Sequence, residues 1–186
     1  MRDFDSIYKE FQPKINRYLG NLVGEEDALD VTQAVFLKIS RSLENFRGES
    51  SLSTWIYRIA TNVALDHSRL ASTRKTLVFL DTIDDNCDCS IINNENPPGA
   101  DQGLMRREMN ACIHRIVKRM PESERAVLIL SEFEGIKNRE IADILDISLN
   151  TVKIRLHRAR ARLRIEIKAE CNLDRDERNE LVCYPK

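Results

Sequence analysis

Hydrophobic residues recur every three or four positions through much of the chain, the spacing that places side chains along one face of an α-helix. Over residues 1–72 they form three stripes, separated by short polar or glycine-containing segments. Gly20 and Gly24 are expected to mark the end of the first helix, and Gly135 is a candidate C-terminal cap of a later one. We expect the first helix to be kinked or restarted at Pro13, because proline lacks an amide donor. The stripes predict an N-terminal helical bundle. Their members are Phe4, Ile7, Phe11, Ile15 and Leu22; Ala28, Val31, Val35, Phe36, Ile39 and Leu43; and Leu52, Trp55, Ile56, Ile59, Ala60, Val63 and Ala64.

The helical periodicity ends near residues 69–72 and returns after residue 100. Residues 73–100 include an acidic stretch that closes with Pro97-Pro98-Gly99, which is typical of a flexible linker. Residues 101–170 again carry helical stripes, interrupted at Pro121, and residues 171–186 read as a short polar tail. The pattern predicts an all-α chain of two small helical domains, an N-terminal bundle and a C-terminal four-helix domain, joined by a flexible acidic linker.

The last two helices of the second domain resemble a helix-turn-helix. Asn138 is a suitable N-cap for a short helix, and Asp146-Ile147-Ser148 interrupts it before a longer helix that Ser148 or Asn150 can cap. The longer helix has an inward stripe, and no acid occurs from Lys153 to Arg164. A basic outer face on the second helix favours DNA binding over a merely solvated bundle helix. The inward stripe is Val152, Leu156, Ala159 and Leu163, and the bases are Lys153, Arg155, Arg158, Arg160, Arg162 and Arg164.

The formal net charge of −1 conceals this separation of acidic and basic segments, which favours a polyanionic partner for one part of the chain. No apolar run approaches the ~20 residues that span a bilayer, so we expect no membrane insertion. The first residues lack the apolar core of a secretion signal, which predicts a cytoplasmic protein. The five cysteines are widely spaced and do not suggest a disulfide framework. Cys112 lies on an apolar helical stripe and is expected in the core.

Three motifs together resemble the extracytoplasmic-function sigma factors of bacterial RNA polymerase. They are the segments Asp27–Lys38 and Phe46–Asn62 and the helix-turn-helix. The resemblance implies a sigma region 2-like domain over residues 1–72 and a region 4-like domain over residues 101–170. It also implies core RNA polymerase and promoter DNA as partners, and an anti-sigma factor that holds the protein inactive.

The resemblance further implies three groups of site residues. Polymerase binding is expected at Asp27, Asp30, Gln33, Leu37 and Lys38. Recognition and melting of the minus ten element is expected at Phe46, Arg47, Trp55, Arg58 and Asn62. Recognition of the minus thirty-five element is expected at Asn150, Thr151, Lys153, Ile154, Arg155, His157, Arg158, Arg160 and Arg162.

Physical chemistry agrees with these roles. Aromatic stacking and basic groups hold a melted strand, and an amide such as that of Asn62 can read the edge of a flipped base. Trp55 has an alternative role as a core anchor. In the second domain Asn150 and Thr151 suit phosphate at a helix start. Lys153, Ile154, His157 and Arg158 point to base edges or backbone, whereas Arg155, Arg160 and Arg162 suit phosphates.

We find no nucleophile with a base, phosphate-binding glycine loop or metal-ligand cluster, so we expect neither an enzyme nor a cofactor. Cys87, Cys89, Cys171 and Cys183 could form a metal or redox switch, although reduced free cysteines are the simpler interpretation. Two other classes remain as alternatives. One is a stand-alone helix-turn-helix regulator that binds duplex DNA, and the other is a helical enzyme with an accessory DNA-binding domain.

Overall fold

The computed structural model describes residues 3–77, 100–175 and 181–185, with side chains described for residues 3–70 and 109–170. Within these residues the chain is almost entirely α-helical, as predicted, with one added β-hairpin. The helices are α1 (Phe4–Val23), α2 (Glu25–Ser42), α3 (Leu52–Leu77), α4 (Ala100–Lys118), α5 (Glu122–Leu128), α6 (Asn138–Leu145) and α7 (Leu149–Glu170), and the strands are β1 (Cys171–Arg175) and β2 (Leu181–Pro185).

The chain forms two compact units. The first comprises Met1–Asp81 and Pro121–Ala159, and the second comprises Thr82–Met120 and Arg160–Lys186. Helix α7 therefore begins in one unit and ends in the other. None of the described helices has the length and apolar content that crossing a membrane requires.

Helix α1 begins at an Asp3 N-cap, whose carboxylate accepts the Asp5 amide at 3.0 Å. The helix is continuous through Pro13, so of the two expected outcomes, a kink or a restart, the restart does not occur. Pro13 and Lys9 are both exposed. The carbonyl that loses its helical partner can therefore bond to water, which lowers the cost of an interior proline.

Gly24 is the only residue between α1 and α2. Its φ of 111° lies outside the range that other residues adopt readily, which is why a glycine can join two helices this abruptly. The helix does not end at Gly20, where we also expected an end, because this residue lies inside α1. Its carbonyl accepts the Gly24 amide at 3.1 Å and so closes the last turn.

Helices α1, α2 and α3 pack against one another as the predicted bundle. Their predicted stripes supply most of its core. The stripe residues that are only partly buried are Phe4, Leu43, Leu52, Trp55, Ile59 and Val63. Edge-on aromatic pairs add to the packing, with ring centroids 4.8 Å apart for Tyr8 and Phe36 and 5.2 Å apart for Tyr18 and Tyr57. Tyr57 is buried one position beyond the predicted stripe, which sequence reasoning missed.

Helix α3 begins after Ser51, whose hydroxyl accepts the Thr54 amide at 3.1 Å. The helix continues to Leu77, past the end that we expected at residues 69–72. The sequence has neither glycine nor proline between Gly48 and Pro97, so no local signal stops the helix at residue 72. Residues 78–99, which make up most of the predicted linker, lie outside the described part of the chain.

The helix-turn-helix follows α5. A π-helical turn, Ile129–Phe133, extends α5, and Gly135 with φ 65° ends it, as predicted. Asn138 is the first residue of α6 rather than its N-cap, because Lys137 takes that position and its amide bonds to the Glu140 carboxylate at 3.4 Å. At the other end Asp146 adopts a left-handed conformation, with φ 52° and ψ 49°, which turns the chain toward α7.

The second unit contains α4, the end of α7 and the hairpin. The Glu170 carboxylate lies 3.5 Å from Arg115 and also bonds to Arg119, which joins α7 to α4. Strands β1 and β2 are antiparallel, and β2 packs on α4. The predicted polar tail is thus partly a hairpin, because Val182 and Tyr184 belong to residue types that favour strands.

Candidate nucleic-acid interface

Ser148 sets the start of α7. Its hydroxyl accepts the Thr151 amide at 3.1 Å and lies 2.8 Å from the Thr151 hydroxyl. Ser148 is therefore the N-cap, which decides between the two residues considered from sequence. Asn150, two positions later in the first turn of the helix, is exposed. Unpaired amides in a first helical turn attract anions such as phosphate.

The two faces of α7 differ sharply in burial. Val152, Leu156 and Ala159 are buried, whereas Leu163 is only half-buried. Arg155 is half-buried beside this stripe. The opposite surface is exposed and rich in basic residues, and it consists of Lys153, Ile154, His157, Arg158, Arg160, Ala161, Arg162, Arg164 and Ile165.

Ile154 is an apolar residue within this basic surface, and 45% of it is exposed. An exposed isoleucine beside cations is typical of a surface that meets both phosphates and the apolar edges of bases. The surface therefore combines long-range attraction for a polyanion with a short-range apolar contact.

A second polar and aromatic surface lies at the start of α3. Trp55, Arg58 and Asn62 are spaced at three and four residues and share one face of that helix. Trp55 is half-buried, with its ring centroid 5.0 Å from that of Phe46 in the preceding loop. Arg47 and Asn62 are exposed. The structure thus brings all five predicted minus ten residues to one region.

Arg58 is already bonded to another helix. Its guanidinium donates to the carbonyl of Asp143 through Nε at 2.8 Å and also through Nη2. That carbonyl is in the last turn of α6, where it has no partner within the helix. A cation at this position is favourable, because the C-terminal end of a helix carries partial negative charge.

The outer face of α2 is a third exposed surface. All five predicted polymerase-binding residues are exposed, including Leu37 at 53%. Sequence reasoning missed Leu29, which is 59% exposed and lies eight residues before Leu37 on the same face. The spacing of Leu29, Gln33 and Leu37 was the signal that could have found it. Asp27 also lies 3.9 Å from the imidazole of His67 on α3.

A buried charge was also missed. The Glu134 side chain is only 2% exposed, and its carboxylate accepts hydrogen bonds from the Tyr57 hydroxyl at 2.6 Å and from Arg17 at 3.2 Å. Burial and the bond to Glu134 raise the pKa of Tyr57, so its hydroxyl remains a donor at neutral pH. The same carboxylate raises the pKa of Arg17. Nothing local in the sequence marks this cluster, whose members lie far apart along the chain.

The residues of the suggested thiol switch remain untested. Cys87 and Cys89 lie outside the described residues, and Cys171 and Cys183 lie in the strands, where side chains are not described. Cys112 is buried, as predicted, with its Sγ 3.7 Å from Glu170. Among the side chains that are described, no group of His, Cys, Asp or Glu is arranged to hold a metal ion.

A basic helix-turn-helix and a separate aromatic and amide surface on a three-helix bundle define a helical DNA-binding protein with two reading surfaces. Family models match both parts: Sigma-70 region 2 over residues 7–74 and Sigma-70, region 4 over residues 110–163. The chain belongs to the extracytoplasmic-function sigma factors, the promoter-specificity subunits of bacterial RNA polymerase. The predicted family and all-α fold class are confirmed.

Relatives with assigned functions align with most of the chain. The RNA polymerase sigma-H factor of Pseudomonas aeruginosa is 35% identical over 164 residues, which covers 86% of this chain and 83% of that protein. The ECF RNA polymerase sigma-E factor of Escherichia coli K12 is 31% identical over 160 residues, covering 84% and 82%. SigZ of Bacillus subtilis is 27% identical over 183 residues, covering 98% and 97%.

Solved structures show the same fold. The sigma factor RpoE of Bartonella quintana, in complex with the anti-sigma factor NepR, has a TM-score of 0.70 at 18% identity, covering 91% of this chain and 99% of that one. CnrH in complex with the cytosolic domain of CnrY has a TM-score of 0.62 at 20% identity, covering 90% and 88%.

Proposed function

We propose that this sigma factor uses three surfaces in turn: the outer face of α2 to bind core RNA polymerase, the loop before α3 with α3 to capture the melted minus ten element, and α7 to read the minus thirty-five element. Residues 1–72 then form the region 2-like domain and residues 101–170 the region 4-like domain. Residues 73–100 join them, and residues 171–186 follow as a tail. The observation that carries the proposal is the presence of both DNA-reading surfaces on one chain.

The α2 surface suits a polymerase contact because it mixes exposed apolar and charged residues. Leu29 and Leu37 supply apolar area, and Asp27, Asp30 and Lys38 surround it with charge. Protein interfaces commonly have this arrangement, with an apolar centre and a polar rim. A merely solvated helix would not need two leucines more than half exposed on one face.

The α3 surface suits separated bases. The Phe46 and Trp55 rings are close and tilted, so together they offer aromatic faces on which an unstacked base can stack. Arg47 supplies positive charge for the strand, and the exposed Asn62 amide can both donate to and accept from a base edge. Binding flipped bases offsets an unstacking cost of about a few kcal/mol, so melting here requires no hydrolysis. We therefore propose a non-enzymatic role with no cofactor.

The α7 surface suits duplex DNA. The exposed face has Lys153, Ile154, His157 and Arg158 in its first turns, where a recognition helix meets base edges. Arg155, Arg160 and Arg162 lie to the side or farther along, where they would bind phosphates without sequence preference. Asn150 and Thr151 add phosphate contacts at the helix start.

An anti-sigma factor is the regulatory partner that we propose. The two similar solved structures are both complexes, one of them with a protein named as an anti-sigma factor. A partner that occupies the α2 or α3 surface would prevent polymerase binding or strand capture. Because its proposed partners work on chromosomal DNA, we place this sigma factor in the bacterial cytoplasm.

The test is transcription in vitro with purified bacterial core polymerase and a promoter library. The full chain should confer discrete start sites, and sequencing of the transcripts would define both recognised elements. Leu37→Asp should lower core affinity about tenfold or more, because it places a charge in the apolar centre of the interface. Leu70→Asp is the matched control, since Leu70 is also a leucine more than half exposed and lies outside the α2 surface.

Two results would contradict the proposal. One is a protein that does not bind core polymerase, and the other is a complex that starts transcription without sequence preference. Binding of duplex DNA together with no effect of core polymerase would favour the stand-alone regulator. That regulator would have no use for the exposed Asn62 or for the α2 surface.

A further inference from the structure

Glu134 occupies a preformed niche between α1 and α3. Its carboxylate is nearly inaccessible, although it belongs to the segment that leads into the helix-turn-helix. One side of the niche is the Tyr57 hydroxyl, 2.6 Å from Oε2, and the other is Arg17, which approaches both carboxylate oxygens at 3.4 and 3.2 Å. A buried carboxylate needs such charged and hydroxyl partners to compensate for the loss of water.

The niche is held in shape by the N-terminal bundle itself. The Thr61 hydroxyl bonds to the Tyr57 carbonyl at 2.7 Å and lies 2.8 Å from the Tyr18 hydroxyl. The Tyr18 ring packs edge-on against the Tyr57 ring. Since none of these bonds involves Glu134, the niche should persist when the carboxylate leaves.

A second bond acts in the same direction. Arg58 lies one position after Tyr57, and its guanidinium binds the Asp143 carbonyl of α6. Helix α6 packs along α3 at this point. Arg58 also lies between Trp55 and Asn62 on the face that we propose captures separated bases. The helix-turn-helix therefore contacts that face at Arg58, whereas Arg58 itself and Asn62 remain exposed.

We propose that Glu134 is a latch that holds the helix-turn-helix on the N-terminal bundle and so keeps Arg58, in the middle of the minus ten surface, bonded to α6 in free sigma factor. The effect of the latch on promoter binding rests on the proposed function, but the contact between Glu134 and the bundle can be tested without it. Opening releases the carboxylate to water and returns the Arg58 donors to the α3 surface. Polymerase and promoter DNA bind the open form and so shift the population toward it.

The chemistry of the latch makes it reversible. Burying an ion pair removes two charges from water, and this cost cancels much of their attraction. Arg17 remains 46% exposed, which keeps its charge partly screened. A contact of this kind selects one arrangement of the domains without holding it so tightly that a partner could not open it.

The decisive experiment compares full-length variants by small-angle X-ray scattering. Glu134→Gln removes the charge but keeps the shape, and Arg17→Gln removes the partner from the other domain. Each should shift the population toward the open form by about tenfold or more, which is the worth of a charge-assisted hydrogen bond, and so increase the radius of gyration. Glu132→Gln is the matched control, because Glu132 is exposed and lies two residues away in the same turn.

The scattering experiment still tests the latch if Glu134→Gln fails to fold. Helix content by circular dichroism shows whether Glu134→Gln folds, and Arg17→Gln carries the test if it does not, since Arg17 is half exposed. The exchanged pair Arg17→Glu with Glu134→Arg should restore compactness. Equal radii for wild type, Glu134→Gln and Arg17→Gln would overturn the latch.

Transcription separates this inference from the proposed function. At limiting sigma factor, Glu134→Gln should bind core polymerase several-fold more tightly than wild type, because less of the protein is closed. Wild-type protein that fails to direct transcription would refute the function whatever the scattering shows. Normal transcription with unchanged scattering and core affinity in both single variants would refute the latch alone.

Discussion

In the proposed function Asn62 reads a base for α3 through a single exposed amide. It lies one turn beyond Arg58 and two turns beyond Trp55 on the same helical face. An amide there can pair with the Watson–Crick edge of a base only after the strands have separated, because base pairing occupies that edge inside a duplex. Its contribution should therefore appear late in initiation, after the closed complex has formed.

Asn62→Ala should reduce open-complex formation about tenfold or more, the usual worth of a specific base contact. Closed-complex binding should stay near the wild-type level, since α7 and the α2 surface are unchanged. Permanganate footprinting measures melting, and gel shift in the cold measures the closed complex. Asn110→Ala is the control, as Asn110 is an exposed asparagine on α4. Equal loss of both steps in Asn62→Ala would contradict the assignment.

Asp146 is a residue whose backbone, rather than its side chain, matters most. It is the only residue other than glycine with a positive φ in the described part of the chain, and the turn between α6 and α7 depends on it. Asp146→Val should lower the free energy of unfolding by about 1–2 kcal/mol, the cost of the left-handed conformation for a residue with a Cβ branch. Asp146→Gly should be neutral or stabilising, because glycine adopts that conformation readily.

Urea denaturation of both Asp146 variants measures this difference. Asp143→Val is the control, since Asp143 is on regular helix and the change should cost less than about 1 kcal/mol. Equal stability of Asp146→Val and Asp146→Gly would show that the left-handed backbone conformation does not determine the effect of substitution at this position.

At the scale of elements, α7 is a helix whose two faces have separate tasks. Its buried stripe holds it in the fold, and its basic face is available to DNA. The exposed Lys153 and Arg158 are on the outer side of the first turns, so their removal should leave the packing of Val152 and Leu156 intact. A change in DNA binding can then be separated from a change in folding.

Replacing Lys153 and Arg158 together by Ala should weaken binding of a minus thirty-five duplex about tenfold or more. For each phosphate that the variant no longer neutralises, the slope of log K against log salt should also become shallower by roughly 0.9. Fluorescence anisotropy with holoenzyme over a salt series measures both quantities. Lys9→Ala with Arg69→Ala removes the same charge from the N-terminal bundle and should change neither. An unchanged slope with full affinity would show that α7 does not bind DNA through these residues.

The helices and their ends could be predicted wherever the local sequence pattern alone determines them. Stripes of period three to four located the helices, and Gly24 and Gly135 marked their ends because a positive φ favours glycine. The errors have physical causes that a local pattern does not contain. Pro13 is tolerated because it is exposed, and α3 runs to Leu77 because nothing stops it. The hairpin forms from residues that a charge-based interpretation assigned to a polar tail.

The same division applies to the site. Exposure of the α2 and α7 residues follows from helical spacing, so sequence could place them on a surface. The bond from Arg58 to Asp143 spans 85 residues, and that from Arg17 to Glu134 spans 117. Such contacts depend on how separate parts of the chain pack, which no spacing rule supplies. These two bonds could therefore not be predicted before the fold was known.

For the whole molecule, the near-zero net charge hides strongly unequal parts. The basic face of α7 attracts DNA, whereas the α2 surface mixes acids with leucines and would repel it. In the proposed function this difference favours promoter DNA at α7 and the polymerase at α2.

Gly24 fixes the direction in which α2 presents its proposed polymerase-binding face. One residue connects two long helices, so their rotational phase is set with no slack. A single inserted residue would advance α2 by about 100° around its axis, and its inward stripe and outer leucines would swing away together. Changes in chain length can be absorbed at the protein's longer connections, but at this joint they would misdirect the docking surface even if the bundle still folded.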